Sequence, residues 1–154
     1  MSRDIFYLNS YYLNQFAIPY SLVGLLTTWE GIFIYFQNKK SPINLAYMFS
    51  CLSAALWQIG LSAIYMSKIE EVSLFWAKYV SFLGIIFVTP SVYFLSVGWQ
   101  EALITKKRVV ILNYIIASLL YIFCLNSNLV IKGLWNYPWG FYPKAGPIYF
   151  ILLI

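Results

Sequence analysis

Four long runs of apolar residues, separated by short polar turns, are the feature that most restricts the folds open to this chain. They cover residues 16–36, 44–66, 73–97 and 109–125. As a helix, the first run would be roughly 31 Å long, which matches a hydrocarbon core of about 30 Å. Apolar residues make up 62% of the sequence and charged residues only 10%, against about 25% charged in soluble proteins. The chain is therefore predicted to be an integral membrane protein, which disfavours a soluble enzyme, a disordered tail or a nucleic-acid-binding domain.

Helices are expected in these runs because a lipid-exposed backbone must satisfy its hydrogen bonds within its own segment. A closed barrel would need alternating apolar and polar residues, and the unalternating residues 84–88 and 109–112 argue against it. The predicted fold class is all-α, a polytopic transmembrane bundle of four full helices. A fifth apolar run at residues 147–154 would reach only about 12 Å. It is predicted to be the incomplete start of a fifth helix in a truncated gene product or in the front part of a longer protein.

The distribution of basic residues predicts the orientation of the chain in the membrane. Residues 1–15 have no apolar core and no cleavage site, so they are interpreted as an interfacial leader and not a signal peptide. Residues 39–40 and residues 106–108 form two tight basic clusters in turns that share one side, whereas the basic residues on the other side are dispersed. The positive-inside rule then predicts a multi-pass protein of the cytoplasmic (inner) membrane with an extracytoplasmic N-terminus.

Several kinds of chemistry have little support in the sequence. Histidine is absent, so imidazole metal sites and histidine acid–base catalysis are excluded. Cys51 and Cys124 would lie about 16 Å apart along the membrane normal, whereas a disulfide needs Cα atoms within about 7 Å. There are no paired carboxylates in the apolar runs and no metal-ligand cluster. We therefore expect no enzymatic activity, no cofactor, no metal and no nucleic-acid partner.

Glu30 is the only carboxylate within an apolar run, and an ionisable group at that depth is costly and often functional. Ser50, Asn113 and Pro90 fall in the same layer of the predicted bundle. One hypothesis is that Glu30 hydrogen-bonds inside the bundle to Ser50, to Asn113 or to backbone near Pro90. The alternative is an interfacial Glu30 directed towards the basic turn at residues 39–40.

Two further groups of residues are candidates for a role in sensing. A kink is predicted between Gly84 and Pro90, because proline removes a backbone hydrogen bond, and both residues are hinge candidates. Small residues in the first and third runs, among them Gly24, Gly31 and Gly84, predict close helix packing. Residues 134–147 contain three prolines and two glycines besides a dense set of aromatics, which excludes a regular helix. That segment either anchors at the interface or covers the bundle as a ligand lid, with the candidates Trp135, Trp139 and Tyr142.

Motifs along residues 16–154 resemble the N-terminal seven-transmembrane region of bacterial sensor histidine kinases, which also precedes diguanylate cyclases. They are Leu56-Trp57-Gln58-Ile59-Gly60, Phe75-Trp76-Ala77-Lys78, Leu83-Gly84, Pro90 before Tyr93-Phe94, and the run from Trp139 to Pro147. The resemblance implies an extracytoplasmic N-terminus, a signal-receiving bundle and a cytoplasmic effector. The chain departs from that pattern, since helix 5 is incomplete and helices 6 and 7 and the effector are missing.

The sequence therefore predicts a membrane-embedded signal-sensing input region of a bacterial two-component or cyclic-dinucleotide signalling protein. Its expected partners are the lipid bilayer, the missing cytoplasmic effector domain, a second copy in a homodimer, and an unknown small-molecule or membrane signal. The alternative is a small proton- or cation-coupled membrane transporter that uses Glu30. An intramembrane enzyme is a third and weaker interpretation.

Overall fold

The computed structural model describes residue 5, residues 7–126 and residues 129–147. Of the predicted fifth helix at residues 147–154, all but Pro147 lies outside the described residues. The described chain is mostly helical (74%) and ends in a small two-stranded sheet. Its elements are α1 (Ile18–Gln37), α2 (Pro42–Met66), α3 (Glu70–Trp99), α4 (Leu103–Asn126), β1 (Ile131–Tyr137) and β2 (Gly140–Ala145).

Among the described residues, three helices are long and apolar enough to cross a membrane, namely α2, α3 and α4. They have 25, 30 and 24 residues, which at about 1.5 Å per residue exceeds a hydrocarbon core of about 30 Å. The helix α1 has 20 residues but is not one of the three. Glu30 and two adjacent threonines, Thr27 and Thr28, reduce the mean hydropathy of its middle.

Turn chemistry sets the connection between α1 and α2. Ser41 caps α2, since its hydroxyl oxygen accepts a hydrogen bond from the Asn44 backbone N–H at 3.3 Å, and Pro42 follows at the first helical position. Both features are favoured at helix starts. The side-chain amide of Asn44 also donates to the Ile34 carbonyl at 2.9 Å. This bond ties the start of α2 to the end of α1 and makes the two helices antiparallel neighbours.

The helices form a row in chain order, with α2 packed between α1 and α3 and with α4 packed on α3. Glycines make the close contacts. A Cβ added at Gly31 would lie 2.6 Å from the Cβ of Cys51, and one at Gly84 would lie 2.6 Å from the Ser53 carbonyl oxygen. Close backbone approach at small residues is how helices associate in lipid. The predicted packing role of Gly31 and Gly84 is therefore confirmed.

The all-α prediction is wrong for the last described residues, because β1 and β2 form an antiparallel hairpin. Prolines and glycines do exclude a helix there, as expected, but the remaining residues pair as strands, with Trp135 opposite Tyr142. Gly140 has φ of 125° at the tight connection, a conformation that favours glycine. Gly146 then donates its backbone N–H to the Val130 carbonyl at 2.7 Å, which closes the base of the hairpin.

Candidate functional site: the cap of the helix row

The N-terminal leader and the hairpin meet at one end of the helix row, and we call residues 7–17 and 129–147 together the cap. Asn14 connects its parts. The side-chain amide of Asn14 donates to the Tyr65 carbonyl at the end of α2 and to the Trp139 carbonyl of the hairpin, each at 2.8 Å. Its side-chain oxygen accepts from the Phe16 backbone N–H at 3.0 Å. Asn14 is only 5% exposed, so loss of these bonds would leave buried carbonyl groups without a partner.

Main-chain hydrogen bonds attach the leader to the turn between α2 and α3. The Tyr12 N–H donates to the Met66 carbonyl at 2.9 Å, and the Lys68 N–H donates to the Ser10 carbonyl at the same distance. Between them, Tyr11 and Ser67 form an isolated antiparallel bridge. The leader is therefore bound to the bundle end as a short extended segment.

Below the cap, α3 changes its winding. The helix is α-helical over Glu70–Phe75, π-helical over Trp76–Ser81 and α-helical again over Phe82–Trp99. A π-helical segment is rare and occurs often at functional sites. The indole N–H of Trp76 donates to the Tyr11 hydroxyl at 2.7 Å, which joins this segment to the leader.

The hairpin lies directly over the π-helical segment. Ile131, Tyr142 and Pro143 of the hairpin enclose a cavity of about 80 Å³ together with Ala77 and Ser81 of that segment. Other walls come from Trp57, Leu61, Phe82 and Ile85. The hairpin thus covers this end of the bundle, and both predicted roles of residues 134–147, interfacial anchor and ligand lid, stay predictions.

The three aromatic candidates of the hairpin are all partly exposed. Trp135 and Tyr142 are cross-strand neighbours, and the Lys144 ammonium lies 4.1 Å from the centre of the Trp135 ring. Trp139 stacks on Tyr137 with ring centres 4.7 Å apart and planes at 8°. Trp135, Trp139 and Tyr142 are 47%, 41% and 45% exposed. Trp135 and Trp139 therefore present aromatic surface outwards, whereas Tyr142 is partly exposed and also lines the cavity over the π-helical segment.

The structure does not bring together the predicted Glu30 cluster. Glu30 lies on an exposed face of α1, and its carboxylate accepts a hydrogen bond from the Tyr47 hydroxyl of α2 at 2.5 Å. Ser50 donates to the Ala46 carbonyl of its own helix at 3.0 Å. Asn113 is on α4, which packs against α3 and not against α1. The proposed bond of Glu30 to Ser50, Asn113 or the Pro90 region is therefore wrong, because two helices separate Asn113 from α1.

Sequence reasoning missed Tyr47, although the signal was present. Glu30 precedes the end of α1 by about two turns, and Tyr47 follows the start of α2 by a similar distance, so the two side chains reach the same depth. The basic turn does not supply the partner either, since the Lys39 ammonium lies 4.3 Å from the centre of the Phe36 ring.

The hinge candidates Gly84 and Pro90 lie in the interior of the row. Gly84 is packed against the α2 backbone at Ser53 and Trp57. Pro90 is buried, and α3 continues as a helix beyond it to Trp99. The change in winding occurs earlier, at Trp76–Ser81. A hinge at Gly84 or Pro90 stays a prediction.

Comparison of the chain with protein-family models, with curated proteins and with solved structures yields no match. The resemblance to sensor proteins therefore depends on the sequence motifs given above.

Proposed function

We propose that this chain is the membrane-embedded, signal-sensing input region of a bacterial two-component or cyclic-dinucleotide signalling protein, and that the cap receives the signal. The observation that carries the proposal is the set of Asn14 hydrogen bonds, which joins the leader, α2 and the hairpin above the π-helical segment of α3. A ligand or membrane change that displaces the hairpin acts on α2 and α3 at the same time.

The direction in the membrane is part of this proposal. Two groups of exposed basic residues lie at the other end of the row, opposite the cap: residues 39–40 in the turn after α1 and residues 106–108 near the start of α4. The positive-inside rule then supports a cytoplasmic basic end and an extracytoplasmic cap, in the inner membrane. In the proposed arrangement α1 crosses together with α2, α3 and α4, which gives four crossings, and helices 5 to 7 of the resembled region lead on to the effector.

Signal transfer requires two arrangements of the helices whose populations the stimulus changes. The pair α2 and α3 is suited to transmit a motion as one body, because glycines hold their backbones in contact at two levels. A Cβ at Gly60 would lie 2.6 Å from the backbone of Ser81, and Gly84 makes a similar approach to Ser53. A displacement of the cap end of this pair therefore reaches the basic end.

The substitution Asn14→Ala tests the proposal, since it disconnects the cap without altering the transmembrane surface. Hydrogen–deuterium exchange of the chain in lipid nanodiscs would report on the last turn of α1 and the first turn of α2, at the basic end. We expect exchange there to rise about fivefold, the lower end of usual coupling between sites. The matched control is Asn136→Ala, because Asn136 is an exposed residue of the same cap with no side-chain hydrogen bond to any described residue. A change confined to the cap would contradict the proposal.

The transporter alternative has less support. Glu30 is on an exposed face and its carboxylate is bonded to Tyr47, whereas a coupling carboxylate normally faces the bundle interior or a water-filled cavity. Glu30→Gln in proteoliposomes distinguishes the two functions. Loss of proton- or cation-coupled flux in this variant would support the transporter, and a sensor shows no such flux in either protein.

A further inference from the structure

A groove of about 770 Å³ lies between α2, α3 and α4, and none of the residues that line it belongs to the cap. Its volume is within the range of small-molecule sites, about 300–1,000 Å³. Apolar side chains form most of the wall, among them Leu56, Leu83 and Ile115. All three helices are long and apolar enough to cross a membrane, and Tyr114 in the groove is at the middle of α4. The groove is therefore open to hydrocarbon, and its occupant enters from the membrane.

Three hydroxyl groups form a hydrogen-bonded chain on the groove wall, and its direction follows from counting hydrogens. Ser53 donates its only hydroxyl hydrogen to the Phe49 carbonyl at 2.8 Å. For all three contacts of this chain to be hydrogen bonds, Ser53 must accept in its 3.3 Å contact with Ser91. Ser91 has then used its own hydrogen, so in the 2.9 Å contact between Ser91 and Tyr114 the tyrosine hydroxyl donates.

The fourth hydroxyl of the groove, on Ser118, donates to the Tyr114 carbonyl at 2.8 Å. Each hydroxyl hydrogen of the described groove residues is thus used within the protein. Hydroxyl oxygens keep lone pairs after donating, and the Tyr114 oxygen accepts no hydrogen bond from any described residue. The groove offers hydrogen-bond acceptors and no donors.

Tyr114 is held in place from both sides. Its ring centre is 6.3 Å from that of Phe49 on α2 and 6.1 Å from that of Phe87 on α3. Ser91, which fixes the hydroxyl, is 0% exposed. A ligand therefore meets a hydroxyl oxygen whose position is already fixed, which reduces the entropy lost on binding.

We propose that this groove binds a long-chain amphiphile that carries a hydroxyl group, and that the ligand hydroxyl donates to the Tyr114 oxygen. In hydrocarbon an unpaired hydroxyl is costly, and the groove supplies the acceptor that lipid tails lack. The groove selects alcohols over ethers, ketones and esters of the same length, because those molecules bring an acceptor to a site without a donor. This binding site is separate from the cap and does not depend on a sensory function.

Competition photolabelling of the full chain in nanodiscs tests the selectivity. The probe is a long-chain alkanol with a diazirine beside the hydroxyl group, and the competitors are the unlabelled alkanol and its methyl ether. We expect labelling of groove residues, and we expect the alkanol to displace the probe about fivefold better than the ether, the value of one neutral hydrogen bond.

Two variants separate this hydrogen bond from apolar packing. Tyr114→Phe keeps the ring and removes the acceptor, so the alkanol and the ether should compete equally. Ser91→Ala frees the hydroxyl hydrogen of Tyr114 for a ligand, so the ether should displace the probe better, relative to the alkanol, than it does in the native chain. Ser96→Ala is the control, because Ser96 is exposed, bonded to the Val92 carbonyl and not part of the groove wall; it should keep the native preference. Circular dichroism checks that each variant folds.

Three results would overturn the proposal. The first is equal displacement by alkanol and ether in the native chain. The second is a preference for the alkanol that persists in Tyr114→Phe. The third is labelling spread evenly over the exposed faces of α4, which would identify the groove as ordinary lipid-solvated surface.

Discussion

The substitution Gly84→Ala measures how tightly α2 and α3 are packed. An added Cβ at this position would lie 2.6 Å from the Ser53 carbonyl oxygen and 2.9 Å from the Trp57 Cα, and it would be closer still to the Trp57 backbone nitrogen. All three atoms belong to the α2 backbone, so no side-chain rotation relieves the overlap. The helices must move apart instead.

The magnitude follows from this geometry. Moving the Ser53 oxygen from 2.6 Å to an ordinary contact distance of 3.4 Å separates the helices by about 0.8 Å, and the closer Trp57 backbone nitrogen makes this a lower bound. A gap of that size loses a quarter to a half of each neighbouring van der Waals contact, and overpacking of this kind costs about 1–3 kcal/mol. Alanine recovers about 1 kcal/mol through its higher helix propensity. Because the added Cβ overlaps three backbone atoms that no rotation can move, the overpacking cost lies at the upper end of that range, about 3 kcal/mol. We therefore expect a net loss of about 2 kcal/mol in the free energy of unfolding, or about 30-fold in the equilibrium constant.

The assay is reversible unfolding in mixed micelles by titration with a denaturing detergent, followed by circular dichroism. Two glycine variants are controls. At Gly24 the nearest atom is the Ile59 Cγ1 at 2.8 Å, which belongs to a rotatable side chain, so Gly24→Ala should cost less than half as much. At Gly133 an added Cβ meets nothing within 4 Å, so Gly133→Ala should be neutral or stabilising by roughly 0.5 kcal/mol. A Gly84→Ala protein as stable as the native chain would refute the reasoning.

Two further predictions concern the connection of α1 and the direction in the membrane. Tyr47→Phe removes the only side-chain hydrogen bond that Glu30 makes with a described residue, so we expect a loss of about 1 kcal/mol in the free energy of unfolding, measured in the same assay. Tyr35→Phe is the control and should have no effect, because Tyr35 makes no side-chain hydrogen bond within the described chain. Equal stabilities of the two variants would contradict the contact between Tyr47 and Glu30. A membrane-impermeant maleimide should label Asn136→Cys in intact cells and Gln100→Cys only after permeabilisation. The native thiols of Cys51 and Cys124 are buried and should give little background labelling. The reverse labelling pattern would contradict the proposed orientation.

The helical part of the fold was predictable because membrane insertion leaves few alternatives. The run predicted at residues 44–66 corresponds to α2 (Pro42–Met66), and the run predicted at residues 16–36 corresponds to α1 (Ile18–Gln37). In both cases the predicted and observed helix ends differ by at most two residues. Apolar length and the turn residues Ser41 and Pro42 decide these limits locally. The other two helices are longer than expected. The polar starts of α3 and α4 continue as helix beyond the apolar runs, and hydropathy does not detect such extensions.

The hairpin and the hydrogen bonds of the cap were beyond sequence reasoning for a different reason. Strand pairing between Trp135 and Tyr142 depends on the turn at Gly140 and on the base closed by Gly146, and the density of prolines obscured the alternation. Asn14 had no local signal, because its partners Tyr65 and Trp139 are 51 and 125 residues away along the chain. The depth of Glu30 in the membrane was the only guide to its partner in the sequence, and residues on several helices share that depth. Only the order in which the helices pack shows that its hydrogen-bond partner is Tyr47 on α2.

The π-helical segment determines which faces of α3 meet the cap and α2. A π turn holds one residue more than an α turn, and this rotates the preceding residues by about 100° relative to those that follow. At the first residue of the segment, Trp76 bonds to Tyr11 of the leader. After the segment, Gly84 packs against the α2 backbone, and Ser91, two turns further, bonds to Ser53. A regular α-helix would turn Trp76 away from the leader while Gly84 kept its place. Because the contacts with α2 fix one end of the segment and the leader fixes the other, we expect movement of the leader to twist α3 about its own axis. Under the proposed sensory function, that twist is the motion expected from a signal at the cap.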